Sequence, residues 1–173
     1  RRKSIEISQH HPMLGAIKYD GYTWNFQRHL KWLGVVANIS IDAGEEEAGL
    51  RPDECETAIQ MCEYPHDLKP AICAEVFKMY NDCYYDAVDY GEDDFGNDLS
   101  EQYAPKLSQP EEIWRLIWPP FNVNFGNTQS FQGPRNKDPF HPGSFYLSCE
   151  CSWDEEHGLN MDFKDWKVVE VGS

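Results

Sequence analysis

The stretch from Phe145 to Val171, FYLSCECSWDEEHGLNMDFKDWKVVEV, constrains the fold more than any other part of the chain. Phe145, Leu147, Cys149, Cys151 and Trp153 fall on one face of an extended segment, and Tyr146, Ser148, Glu150 and Ser152 fall on the other. After the polar residues Asp154-Glu155-Glu156-His157-Gly158 the alternation resumes, with Leu159, Met161 and Phe163 inward and Asn160, Asp162 and Lys164 outward. A turn over Lys164 to Lys167 leads into Val168 to Val171. The pattern predicts an antiparallel meander, apolar on one side and wet on the other, and such a sheet needs a cover.

The N-terminal part carries a second meander. Asp20-Gly21 is a hairpin signal between Met13 to Tyr19 and Tyr22 to His29, and Val35, Ala37, Ile39 and Ile41 supply a third inward row. Residues 1–12 read as a flexible N-terminal segment. Between the meanders the period changes to that of a helix. Pro52-Asp53-Glu54 opens a short helix with Cys55, Ala58, Ile59 and Cys62 as its stripe. Asp67 is placed to cap the main helix, with Pro70 in its first turn, Ile72, Val76, Met79, Cys83 and Ala87 recurring at helical spacing, and Phe77, Tyr80 and Tyr84 widening the stripe. Ser108-Gln109-Pro110-Glu111 reads as a capping box for a third short helix through Trp114 and Ile117, and Phe121 to Phe125 as a further strand. The region 126–143 is a long polar loop. These elements predict one α+β domain over 1–173, with antiparallel β-meanders at the N- and C-terminal parts packed against a central pair of helices.

The totals narrow the function classes. A chain of 173 residues with 40% hydrophobic and 14% aromatic side chains has the means for one sizeable core. Its formal net charge of -15 repels nucleic acid and anionic membrane and attracts basic proteins, although acidic charge also serves solubility alone. No apolar run is long enough to span a bilayer, and the basic start Arg1-Arg2-Lys3 lacks the apolar region of a secretory signal, so the expected location is the cytoplasm. The six cysteines sit at helix and strand positions that suit buried, reduced thiols rather than a disulfide framework.

Candidate chemistry is sparse. Asp154-Glu155-Glu156-His157 offers carboxylates and an imidazole, the raw material of a metal site or of acid/base work, but neighbours in one short loop do not converge on a point. Cys149 and Cys151 are two thiols without the remaining zinc ligands. The acidic run Asp86 to Asp98, with Glu92, Asp93, Asp94 and Asp98 at its centre, lacks the spacing of a calcium loop and reads as a solvated loop or a docking surface. Nucleophile elbows and phosphate-binding glycine loops are missing, and no cofactor is implied. Of the six tryptophans, Trp32 and Trp166 lie near turns, where an exposed ring would serve as a binding anchor.

Cys151-x-Trp153-Asp154-Glu155-Glu156-His157-Gly158-Leu159, followed by Phe163-Lys164-Asp165 and Val168-Val169-Glu170-Val171-Gly172, resembles the closing signature of a bacterial family of unknown function. His11-Pro12-x-Leu14-Gly15 with Tyr19-Asp20, and Pro110-Glu111-Glu112-Ile113-Trp114, are similar to its other landmarks. Trp166 departs from it, standing where the turn more usually carries glycine. Members of this kind look like immunity proteins of polymorphic toxin systems, and the resemblance carries no catalytic residues with it. Together with the net charge and the lack of a catalytic motif, the resemblance leads to the expectation of a binding protein that neutralises a cognate basic toxin or effector by contact, with Glu92, Asp93, Asp94, Asp98, Asp154, Glu155, Glu156 and His157 of the two acidic loops meeting its cationic side chains. The competing expectation is a metal-dependent hydrolase using the Asp154–His157 loop.

Overall fold

Both meanders form, and a strand between them fuses them into one sheet. The computed structural model describes residues 7–42, 52–125, 129–130, 133–134 and 143–172. Its strands are β1 (Ile7–His11), β2 (Gly15–Tyr19), β3 (Thr23–Leu30), β4 (Val35–Asp42), β5 (Ile117–Phe125), β6 (Gln129–Ser130), β7 (Gly133–Pro134), β8 (Phe145–Cys151), β9 (Leu159–Lys164) and β10 (Lys167–Gly172). The main sheet has eight strands in the order β1-β2-β3-β4-β5-β8-β9-β10, and β6 and β7 form a separate two-stranded sheet. Every neighbouring pair in it is antiparallel except β4 and β5, which run parallel. A parallel pair needs a long crossover, and the chain between β4 and β5 supplies one. It contains α1 (Pro52–Cys62), α2 (Lys69–Cys83), the single turn α3 (Ser100–Tyr103) and a 3-10 helix (Pro110–Leu116). The α+β class read from the sequence therefore holds, with the sheet dominant. β1 lies within 1–12 and pairs with β2 along its whole length. Of the region 126–143, only 129–130, 133–134 and Gly143 lie within the described residues.

Local chemistry explains the turns. Asp20 Oδ1 accepts from the amides of Tyr22 and Thr23 at 2.9 and 2.8 Å, closing the expected β2–β3 turn. The β9–β10 turn is less ordinary. Asp165 and Trp166 take φ of 51° and 63°, the left-handed pair of a two-residue hairpin turn, without a glycine. That conformation costs a non-glycine residue about 1–2 kcal/mol. The Trp166 ring offsets part of it by stacking on Tyr64, centroids 3.7 Å apart and planes 8° from parallel, while its amide donates to the Gly143 carbonyl at 3.0 Å. Gly143 is obligatory beside it, because a Cβ there would stand 2.6 Å from the indole.

The inward face of the sheet is the core. Ile17, Trp24, Phe26, Ile39, Ile41, Val123, Phe145, Leu147, Cys149, Met161 and Phe163 are all buried there. Burying side chains of this size contributes about 1.5–3 kcal/mol each. The cover is α2, which buries Ile72, Cys73, Val76 and Tyr80. Tyr80, from the widened edge of the expected stripe, takes the central place against Trp153 at 5.2 Å, so that Met79 is only half-buried, Cys83 is exposed, and Ala87 lies beyond the end of the helix. In α1, Ala58, Met61 and Cys62 are buried; the side chain of Cys55 lies outside the described residues. The N-cap of α2 is Leu68 rather than Asp67, although Asp67 Oδ1 does accept from the Lys69 amide at 3.0 Å. The capping box also shifts by one residue, since Glu112 and not Glu111 reaches back, to the Ser108 amide at 3.3 Å. Trp32, expected near the surface, is fully buried and donates to the Met61 carbonyl at 2.9 Å. Trp166 is half-buried, so neither ring is an exposed anchor.

The outward face is laid out in rows. Ser8, Lys18, Asn25, Ser40, Asn124, Tyr146, Asp162 and Glu170 stand in register across the whole sheet. Beside them run Gln27, Asn38, Asn122, Ser148 and Asn160. Their side chains satisfy one another: Gln27 donates to Asn38 at 2.8 Å, Asn38 to Asn122 at 3.1 Å, Ser40 to Asn25 at 2.7 Å and Tyr146 to Asn160 at 2.6 Å. Asp162 has the outward orientation expected of it, yet it is buried at 2% exposure.

Candidate functional site

Strand β8 delivers the first of the expected site loops. Trp153 closes its inward row, and Asp154 then caps a tight turn, its Oδ1 accepting from the His157 amide at 2.9 Å while its carbonyl accepts from Gly158 at 2.8 Å. Gly158 has φ of 69°, and a Cβ there would meet the Cys149 carbonyl oxygen at 2.5 Å, so the turn depends on glycine. His157 Nδ1 lies 3.1 Å from Asp154 Oδ1. Glu155 and Glu156 are exposed.

The second site loop is a small hairpin. The Asp93 amide donates to the Asn97 carbonyl at 2.9 Å, Leu99 to Gly91 at 2.9 Å, and Glu92 bridges Asp98. The Asp93 carboxylate ties the tip together: Oδ1 accepts from the Phe95 and Asn97 amides at 2.9 and 2.8 Å, and Oδ2 from the Asn97 side chain at 2.9 Å. The Asn97 side-chain amide, then the backbone donors, hold its pKa below the usual 3.8. Asp98 accepts from the Ser100 amide at 2.8 Å and is likewise lowered. Phe95 projects from the tip with 90% of its surface exposed. The expected site residues thus divide. Asp93, Asp98 and Asp154 hold their loops, whereas Glu92, Asp94, Glu155 and Glu156 make no side-chain hydrogen bond or ion pair among the described residues.

The fold brings these loops to one end of the molecule. The Tyr90 hydroxyl, at the root of the hairpin, donates to the Trp153 carbonyl at 2.8 Å. Tyr90 stacks on Tyr103 with centroids 5.5 Å apart, and Ser152 Oγ donates to the Tyr103 carbonyl at 2.7 Å. Tyr80 adds a hydrogen bond to the Pro105 carbonyl. Burial, then the neighbouring Tyr84, Cys151 and Asp154, push the Tyr90 phenol up to about 12, so it stays a donor at neutral pH. Beside the root of the hairpin lies a cavity of about 420 Å³ whose lining includes Asp86, Asp89, Asp98, Glu101 and Lys106. From Met79 to Pro105 the chain has no lysine or arginine, so acidic side chains predominate at this end.

The other chemical candidates dissolve into the fold. Cys149 and Cys151 are buried; burial raises both thiols, Cys151 to about 12. Among the described residues no three His, Cys, Asp or Glu side chains cluster to hold a metal ion. No described helix is long and apolar enough to cross a membrane. Phe95 and the Tyr90 clip escaped the sequence reading. Phe95 stands alone among acidic and glycine residues with no periodic apolar partner, and that isolation was its one available signal. The clip pairs residues 63 positions apart and has none.

Among curated proteins and among solved structures nothing matches the chain. A family model, by contrast, matches residues 13–173, which include the hairpin, the Asp154–His157 turn and nearly the whole sheet. On that match the chain belongs to the family described as Domain of unknown function (DUF6985).

Proposed function

We propose that this protein is an immunity-type binding protein, acting in the cytoplasm, that neutralises a basic toxin or effector domain by covering its working surface. One observation carries the reading: two acidic loops distant in sequence are fastened side by side, and an almost fully exposed Phe95 stands on a tip already ordered by Asp93. An ordered tip loses little conformational freedom on docking, so more of the contact energy is retained as affinity. Phe95 supplies the desolvated anchor, and Glu92, Asp94, Glu155 and Glu156 supply the surrounding field that guides a cationic partner. The closing signature's likeness to immunity proteins points the same way. The metal-dependent hydrolase has no specific observation in its favour.

The test is co-expression with the product of the neighbouring reading frame, scored for growth and for co-purification. Growth restored by the wild-type chain, a stable complex, and loss of both in Phe95→Ala with Asp94→Lys are the expected results. Full protection by that double variant would remove the acidic end as the contact.

A further inference from the structure

A third row on the outward face has a different character from the two polar ones. Beyond Gln27 and Asn38 come His29 and Val36, which pair in register. Ala37 and Phe121 are paired and buried; Val36, which precedes Ala37 on β4, faces outward, and on β5, which bulges between Trp118 and Asn122, Pro120 is exposed just before Phe121. Trp118 pairs with Glu150 on the same face. Val36 is 57% and Trp118 40% exposed, and Pro119 and Pro120 are exposed between them. The result is an apolar stripe over β4 and β5, on a face whose other two rows are polar and charged.

The charges beside the stripe differ by flank. Lys31, in the β3–β4 turn, is exposed on one side, and Glu150 on β8 stands on the other. A two-fold axis running along the strands lays the stripe on its own image and sets each Lys31 on the side of its counterpart's Glu150. On a chain of net charge -15, the stripe is a surface that a second copy can approach without meeting only its own sign. We propose that Val36, Pro120 and Trp118 form the contact of a symmetric dimer, with a second copy of this chain seated face to face. The dimer stands independently of the acidic-end reading, because the Phe95 hairpin is built from other residues.

Sedimentation velocity of the full chain over a concentration series tests it. The expected result is a mass that rises from 20.1 kDa towards twice that value. The dimer fraction should grow between about 0.05 and 0.5 M salt, because screening the repulsion between two copies of charge -15 outweighs the weakening of a few exposed ion pairs. Trp118→Ser and Val36→Ser should each weaken the dimer about tenfold or more, with the circular dichroism of the folded chain unchanged. Lys31→Glu should weaken it too, and Glu150→Lys in the same chain should restore it. Lys31→Glu with Glu170→Lys has the same net charge but changes a strand remote from the stripe, and should not restore it. A monomer throughout the series overturns the proposal, as does a dimer indifferent to Trp118→Ser and Val36→Ser, or equal rescue by Glu150→Lys and Glu170→Lys.

Discussion

Strand β8 and the acidic loop it runs into are adjacent in the chain and opposite in how they use their side chains. From Phe145 to Trp153 every second residue is buried in the core. From Asp154 to His157 nothing enters the core: Asp154 secures its own turn, and Glu155 and Glu156 face solvent. The hairpin clipped beside it repeats the division, with Asp93 and Asp98 retained by the backbone while Asp94 and Phe95 are left outside. A shared end of the molecule therefore has two separable parts, one whose loss unfolds the protein and one whose loss should leave the fold intact.

Mutation on the buried side should have the largest effect. Trp153→Ala removes a side chain 2% exposed and packed on Tyr80 at 5.2 Å, and should cost about 3–5 kcal/mol in denaturant unfolding. Tyr90→Phe, at the junction, deletes the hydrogen bond to the Trp153 carbonyl and should cost about 1 kcal/mol. It should also speed amide exchange in the hairpin more than in β8; equal acceleration in both would mean that the two parts are not separable.

Titration sharpens the same contrast at both ends of the pH scale. Tyr90 has its pKa raised from 10.0 to about 12, so the stability it contributes is fully present below pH 10 and lost as the pH rises through about 12. Asp93 is lowered from 3.8, so its contribution is present above 3.8 and lost as the pH falls through its lower folded value. Amide exchange at Phe95 and Asn97 should therefore stay protected at pH 3.8 and give way in stronger acid, while β8 remains protected. Loss of hairpin protection already above 3.8 would show that Asp93 does not order the tip.

How far the sequence disclosed this arrangement depended on the range of the interaction. Alternation over Phe145 to Phe163 identified the buried row, because a sheet with one covered face imposes period two on consecutive residues. The Asp20-Gly21 turn was legible for the same local reason. Fusion of the two meanders was not, since the parallel β4–β5 pair joins strands separated by the entire helical crossover. Nor could spacing rank Cys83 below Tyr80 on α2, or move Trp32 inside, since those outcomes depend on Trp153 and Met61 from elsewhere in the chain. All eight expected site residues are carboxylates or an imidazole in acidic loops, and composition alone did not separate those that bind the backbone from those that face outward. The apolar stripe of Val36 and Trp118 appears only when register places three strands side by side.

Phe95→Ala should have the smallest effect on stability, within about 0.5 kcal/mol, because the side chain is 90% exposed. Its effect on partner binding should instead be a loss of tenfold or more. The most direct measurement is the association rate of the purified partner with Glu92→Lys, Asp94→Lys and Glu155→Lys combined, taken over a salt series beside the wild type. The expected result is a lower rate at low salt and a shallower dependence on salt, with the unfolding midpoint unchanged. Equal rates and equal salt slopes for the two proteins would contradict the assignment of the acidic end as the partner surface.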